Sequence, residues 1–208
     1  NPVDRMPLVD VIAGSLTSET AVRTATTFAR RLGKTPVIVR DGPGFLVNRL
    51  LAFYSAEAMW LLDEGHRVET IDRAMVDWGM PMGPLRLADE VGLDVSAKVG
   101  QILHEAFPDR LQFPAWIDQI AGDRSRLGVK SGRGVYRYQD GREQEVDPAI
   151  YALLGLVPQA ELAPPPAERL MLSMVNEAAR CLAEGIVAGP GPLDLALVRQ
   201  RPGSLVRS

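Results

Sequence analysis

The chain has 208 residues, of which 46% are hydrophobic and 24% charged, and its net charge is −3. These are values of an ordinary globular protein with room for one large domain or two small ones. Weak acidity without a basic cluster speaks against nucleic acid or a membrane surface as partner, and no apolar run approaches the roughly 20 residues that cross a bilayer.

Cys181 is the one cysteine, so no internal disulfide forms; this fits a reducing, cytoplasmic setting. The first ten residues, NPVDRMPLVD, carry charges among short apolar pieces and do not read as a signal peptide. The chain begins on Asn1 rather than Met and reads as a piece of a longer protein.

In chain order, "MPLVDVI" (6–12) is short and β-branched, as strands are. "TSETAVRTATTFARRLGK" follows as a helix. Thr17 or Ser18 is its N-cap, Gly33 its stop, and Val22, Ala25, Phe28, Ala29 and Leu32 its core stripe. "TPVIVR" (35–40) is a second strand, completing the order of a βαβ unit. Two strands are too few to stand alone, so these 40 residues read as the edge of a larger sheet.

From residue 43 onward helices dominate. "PGFLVNRLLAFYSAEAMWLLDEG" (43–65) has a stripe of Val47, Leu50, Leu51, Tyr54, Ala58, Leu61 and Leu62. "VETIDRAMVDWG" is a shorter helix. In "MPMGPLRLADEVGLDVSAKVGQILHEAF", Pro84 starts a helix, Gly92 stops it and Asp94 caps the next. "PAWIDQIAG" is another short helix, and "LGVKSGRGVYRYQDGREQEVD" is a glycine-rich loop with at most a small hairpin. "APPPAE" (163–168) reads as a linker.

After the linker the sequence echoes itself. Shifted by 120 residues, Arg49, Leu50, Glu57, Ala58, Leu62, Glu64 and Gly65 recur as Arg169, Leu170, Glu177, Ala178, Leu182, Glu184 and Gly185. Repeated helical units can bury their apolar faces on one another. The second copy has Glu168 where the first has Asn48, so the asparagine is not needed to build the helix.

Simple catalytic motifs are missing from these residues: there is no G-x-G-x-x-G, no P-loop, no CxxC and no HExxH. His66 and His104 are lone helical or helix-end histidines, which are ordinarily solvated or packed. Asp89 and Glu90 are adjacent and point about 100° apart on a helix, so a solvated face is expected for them.

Four stretches, "NPVDRMPLVDVI", "LGKTPVIVRDGPGFLVNRLL", "GMPMGPLRLADEVGLD" and "LGVKSGRGVYRY", resemble the L-3-hydroxyacyl-CoA dehydrogenase family in order and spacing. "ERLMLSMVNEAARCLAEGI" resembles the extra C-terminal helical repeat of the fatty-acid β-oxidation multifunctional enzymes, which fuse an enoyl-CoA hydratase to this dehydrogenase. The resemblance implies a mainly α chain: two tandem helical dehydrogenase C-terminal domains preceded by a βαβ remnant of a Rossmann domain. The expected parts are 1–41 (Rossmann edge), 42–140 (first helical domain), 141–166 (linker and short helix) and 167–208 (second, partial repeat).

The resemblance also implies NAD as cofactor, bound mostly by a domain upstream, and an acyl-CoA substrate. The family's catalytic histidine would lie just before Asn1, so this chain is expected to show no turnover by itself. Asp10 matches the carboxylate that orients that histidine, although the family has glutamate there. Asn48 matches the asparagine that hydrogen-bonds the substrate near its 3-oxygen and thioester. Its neutral NH2 can donate to a carbonyl gaining negative character without disturbing a His–carboxylate pair. Asn1 and Lys130 match positions near the cofactor. Small Ala52 and Ser55 follow Asn48 on its helix face and permit close approach of a ligand or neighbouring domain.

Expected partners are acyl-CoA and a second copy or a thiolase-type subunit, with no nucleic acid and no membrane insertion. The tail "RQRPGSLVRS" departs from the family's aromatic-glycine ending, and Arg199 carries no role. Two other readings stay open: a helical interaction module, and an NAD-linked dehydrogenase of a non-CoA hydroxy acid.

Overall fold

The computed structural model describes residues 7–159 and 165–198, with side chains through residue 194. Strand β1 (Leu8–Ala13) pairs in parallel with β2 (Thr35–Arg40), in register from Leu8↔Thr35 to Ala13↔Arg40. Helix α1 (Glu19–Arg31) joins them, and Ser18 caps it by accepting the Ala21 N–H at 3.2 Å. The expected α1 stripe holds only in part. Thr26 and Ala29 are buried, whereas Phe28 is 61% and Leu32 59% exposed. Phe28 lies one residue, or about 100°, round the helix from Ala29 and so turns off the packed face.

Helix α2 (Val47–Asp63) buries Leu50, Tyr54, Ala58, Leu61 and Leu62 as expected. Helix α3 (Val68–Trp78) ends on Gly79 in the left-handed conformation. Helix α4 (Pro84–Val91) begins on proline, and α5 (Leu93–Ala106) follows after Gly92. Asp94 is therefore not the cap of α5 but lies inside its first turn. Gly92, at φ 102°, donates to the Ala88 carbonyl and accepts from Ser96, so one residue closes α4 and opens α5.

Helix α6 (Ile117–Gly122) and a 3-10 turn (Val129–Ser131) precede the expected small hairpin, β3 (Tyr136–Gln139) with β4 (Arg142–Val146). Asp140 and Gly141 turn it with both φ positive, as two-residue hairpin loops favour. Helices α7 (Ala149–Leu154), α8 (Pro166–Ala183) and α9 (Pro190–Val198) complete the described chain. None of the described helices is long and apolar enough to cross a membrane.

Helices α2 and α8 end identically. Gly65 and Gly185 are both left-handed and donate to Leu62 and Leu182, each at 3.0 Å. The next residues, His66 and Ile186, donate five positions back to Leu61 and Cys181. This is the same double closure of a helix C-terminus, written twice at the 120-residue shift.

The chain divides into two compact units. One takes in residues up to Leu51 and those from Val175 onward; the other is Ala52–Met174. The first has β1, α1 and β2 with the start of α2, the end of α8 and α9. In the second, Ala56, Leu103 and Leu111 centre a core against which Phe53, Phe107 and Phe113 pack.

Candidate functional site

In the first unit the site is built where β2 gives way to α2. The sequence "DGPGF" makes a tight turn, with Gly44 at φ 73° and Phe45 at φ 50°. A phenylalanine in the left-handed region is uncommon, and such strain gathers at functional sites. Helix α2 then starts at Val47, whose N–H donates to the Asp10 carboxylate on β1.

Burial pushes the Asp10 carboxyl above its usual range, and the Val47 bond pulls it partly back. Its Oδ1 is buried with no hydrogen-bond partner among the described residues. A buried carboxylate oxygen with unused acceptor capacity suits one further N–H donor, such as an imidazole. Asn48, the next residue after Val47, is exposed and makes no side-chain hydrogen bond to a described residue. Asp10, through the Val47 N–H, and Asn48, in the first turn, thus both stand at the positive end of one helix.

Arg49 is the next residue of the same turn. Its Nε is 2.5 Å from Oε1 of Glu177 and its Nη1 is 2.8 Å from Oε2 of Glu184, both from the end of α8 and its closing turn. The Arg49 and Glu177 side chains are 2% and 1% exposed. Arg40 continues the frame, its backbone N–H donating to Ile186 at 2.8 Å and its guanidinium to the Glu184 carbonyl. Sequence reading noted Arg49, Glu177 and Glu184 as repeat markers and missed that they pair.

The second unit holds Lys130, on the 3-10 turn, where its ammonium pairs with Asp94 at the start of α5. The Lys130 side chain is 44% exposed, so part of its donor capacity faces outward. Asp89 overturns the solvated-face expectation. It is 1% exposed and accepts the Val135 N–H, the Tyr136 N–H and the Tyr138 hydroxyl, at 2.9, 2.9 and 2.8 Å. A Cβ on Gly134 would sit 2.0 Å from Asp89 Oδ1, which explains that glycine. Helical phase could not reveal this, because the partners come from the start of the hairpin, more than 40 residues away.

Asp72 plays a similar part, taking the Leu85 and Arg86 N–H groups at the start of α4 and the Tyr136 hydroxyl. Burial raises its carboxyl to about 6. Both aspartates are structural clamps. His66 is buried, and His104 has Nδ1 2.7 Å from the Leu111 carbonyl. Both are packed residues.

Against known proteins, residues 1–42 match the family model described as 3-hydroxyacyl-CoA dehydrogenase, NAD binding domain. Residues 44–138 match that of the 3-hydroxyacyl-CoA dehydrogenase C-terminal domain. The chain belongs to the 3-hydroxyacyl-CoA dehydrogenase family. The fatty acid oxidation complex subunit alpha of Shewanella loihica is 46% identical over 200 residues, covering 95% of this chain and 28% of that protein. The chain therefore spans little more than a quarter of that relative.

Among solved structures, 3-hydroxybutyryl-CoA dehydrogenase from Escherichia coli K12 superposes with a TM-score of 0.75 at 25% identity, covering 97% of this chain and 60% of that one. (S)-3-hydroxybutyryl-CoA dehydrogenase from Ralstonia eutropha gives 0.63 at 38% identity, covering 67% and 50%.

As a member of this family, the chain carries the fold expected from sequence: mainly α, with tandem helical repeats behind a βαβ segment that matches the NAD-binding domain. Asn1 lies outside the described residues. The partly exposed ammonium of Lys130 is chemically suited to a carbonyl or anionic group of a dinucleotide.

Proposed function

We propose that this chain forms the substrate-facing part of an NAD-dependent L-3-hydroxyacyl-CoA dehydrogenase, with Asn48 on the substrate oxygen and Asp10 behind the catalytic histidine. The observation that carries the reading is Asp10: a half-buried carboxylate on β1 whose Oδ1 is buried and unpartnered among the described residues, joined to the first N–H of the helix that presents Asn48.

The chemistry asked of these groups is simple. Bound NAD would supply the acceptor for a hydride from C3 of the substrate; the 3-hydroxyl proton would go to a histidine, leaving a 3-keto group. Asp10 holds the histidine in one tautomer and stabilises the imidazolium. Asn48 donates an N–H to the substrate oxygen, and the start of α2 adds a favourable potential there. Lys130 is assigned to the cofactor by family resemblance, its ammonium being paired with Asp94 and partly exposed. Asn1 is assigned near the nicotinamide by family resemblance alone.

The histidine is neither His66 nor His104, which are committed to packing and to Leu111. These 208 residues contain no G-x-G-x-x-G, so the proposal places both the base and the pyrophosphate turn outside them. The relatives named as subunits of a fatty acid oxidation complex support an acyl-CoA substrate and a multi-subunit assembly, with a thiolase-type subunit as partner. The duplicated helices favour a further role in assembly: each copy's arginine finds its carboxylates in the other copy, a pairing that two separate subunits could also make.

Replacing Asn48 with Ala in the full-length gene product tests the assignment. NADH production from a 3-hydroxyacyl-CoA is expected to fall about 100-fold or more, as loss of one such donor does elsewhere. An unchanged rate removes Asn48 from the site.

A further inference from the structure

Asn48 makes no side-chain hydrogen bond to a described residue, so the first turn of α2 alone sets where its amide stands. That turn follows a strained reversal at Gly44 and Phe45, and its opening N–H is taken by Asp10. The neighbouring Arg49 is the side chain that grips it. One planar guanidinium there meets two carboxylates seven residues apart, Glu177 at 2.5 Å and Glu184 at 2.8 Å. Such a fork fixes direction as well as distance, which a lysine would not do.

The grip is anchored at its far end. Past Glu184, Ile186 accepts the Arg40 N–H, and Arg40 closes β2, which is paired throughout with β1. From Asp10 the contacts run through β1, β2, Arg40, Glu184, Arg49 and Val47 back to Asp10. This closed ring ties the strand that carries the carboxylate to the helix turn that carries the amide.

A buried ion pair is a costly way to add stability, because desolvating two charges offsets most of their attraction. Its use here is better explained by the position it enforces. The other copy supplies the control. Arg169 makes the same pairs with Glu57 and Glu64, and the outer carboxylates are similarly open, Glu184 at 39% and Glu64 at 46%, but Arg169 and Glu57 are 32% and 23% exposed and the neighbour is Glu168. The buried form occurs beside the asparagine.

We infer that Glu177 and Glu184, in the second repeat, are positioning residues for the dehydrogenase site, holding Asn48 against the substrate oxygen through Arg49. The inference rests on the substrate role proposed for Asn48. It gives the second repeat a part in turnover besides packing.

The test uses the full-length gene product with a 3-hydroxyacyl-CoA and saturating NAD. Glu177→Gln is expected to lower kcat about tenfold with the KM for NAD unchanged, since displacements near 1 Å at a reacting centre cost up to about 100-fold. Glu184→Gln, at a half-exposed carboxylate, is expected to lower kcat about threefold, and it decides the matter if Glu177→Gln does not fold. Arg169→Ala is expected to leave kcat within about twofold, as exposed ion pairs contribute little.

The decisive reading is the double variant. If Glu177 acts through Asn48, adding Glu177→Gln to Asn48→Ala slows the enzyme no further, because the two changes share one route. Multiplicative losses, an equal loss in Arg169→Ala, or a folded Glu177→Gln enzyme with the parent kcat would each overturn the inference. If Asn48→Ala alone keeps full activity, the reading of Asn48 fails instead.

Discussion

Helices α2 and α8 carry the same arginine and the same two glutamates at the same spacing, yet the two sets of ion pairs live in different media. Arg49 and Glu177 are 2% and 1% exposed, while Arg169 and Glu57 are 32% and 23% exposed. The paired residues themselves are not the cause, since they are identical in the two copies. The cover differs: in the first unit the end of β2 closes over the pair through Arg40, Ile186 and Glu184. The outer carboxylates are alike, Glu184 at 39% and Glu64 at 46% exposure, so the difference lies at the inner pair. A duplicated sequence thus supplies one fastening twice, and tertiary context makes one of them rigid.

The largest expected break in this comparison comes from exchanging the residues that distinguish the copies. Asn48→Glu makes the first copy read like the second, placing an anion beside Asp10 and where the substrate oxygen gains charge. Turnover of the full-length protein is expected to fall about 1000-fold or more, against less than about twofold for Glu168→Asn. Comparable losses in both would make the copies functionally equivalent.

A smaller contrast lies in stability. Arg49→Ala removes the guanidinium from buried Glu177, leaving Arg180 at 4.0 Å as a remaining cation, and is expected to cost about 3 kcal/mol. Arg169→Ala, at the open pair, is expected to cost about 1 kcal/mol or less. Urea unfolding of the two variants measures the difference; equal costs would mean that burial of the first pair does not matter.

The least effect concerns pH. Hydrogen bonding to Arg169 holds the Glu64 carboxyl below its ordinary value, against a small opposing effect of burial. A depressed carboxylate stabilises the fold above the ordinary carboxylate range, and that contribution is lost as pH falls through its folded value. The Tm gap between the parent and Arg169→Ala is therefore expected to narrow as pH drops below about 4. A gap that widens on acidification contradicts the assignment of Glu64 to Arg169.

Much of the fold was legible because it is written locally. Ser18 before α1, Pro84 opening α4, and Gly65, Gly79 and Gly185 after their helices are signals that act within one turn. The family motif likewise brought Asp10 and Asn48 into view, and the fold joins them through the Val47 N–H. Asp89 was misread because its three donors come from a segment over 40 residues away, and Asp94 because Gly92 closes one helix and opens the next.

The sequence by itself determined the order of elements, the repeat, the family and the residue types at the site, since each depends on short-range patterns or on residues read one by one. Only the tertiary structure decided which carboxylates are buried clamps and which copy of the arginine–glutamate fastening is sealed. It also decided that the asparagine's helix is held from the other repeat. Those outcomes depend on what covers a charge, and cover is set by contacts between residues more than 140 positions apart, as Arg40 and Glu184 are at 144.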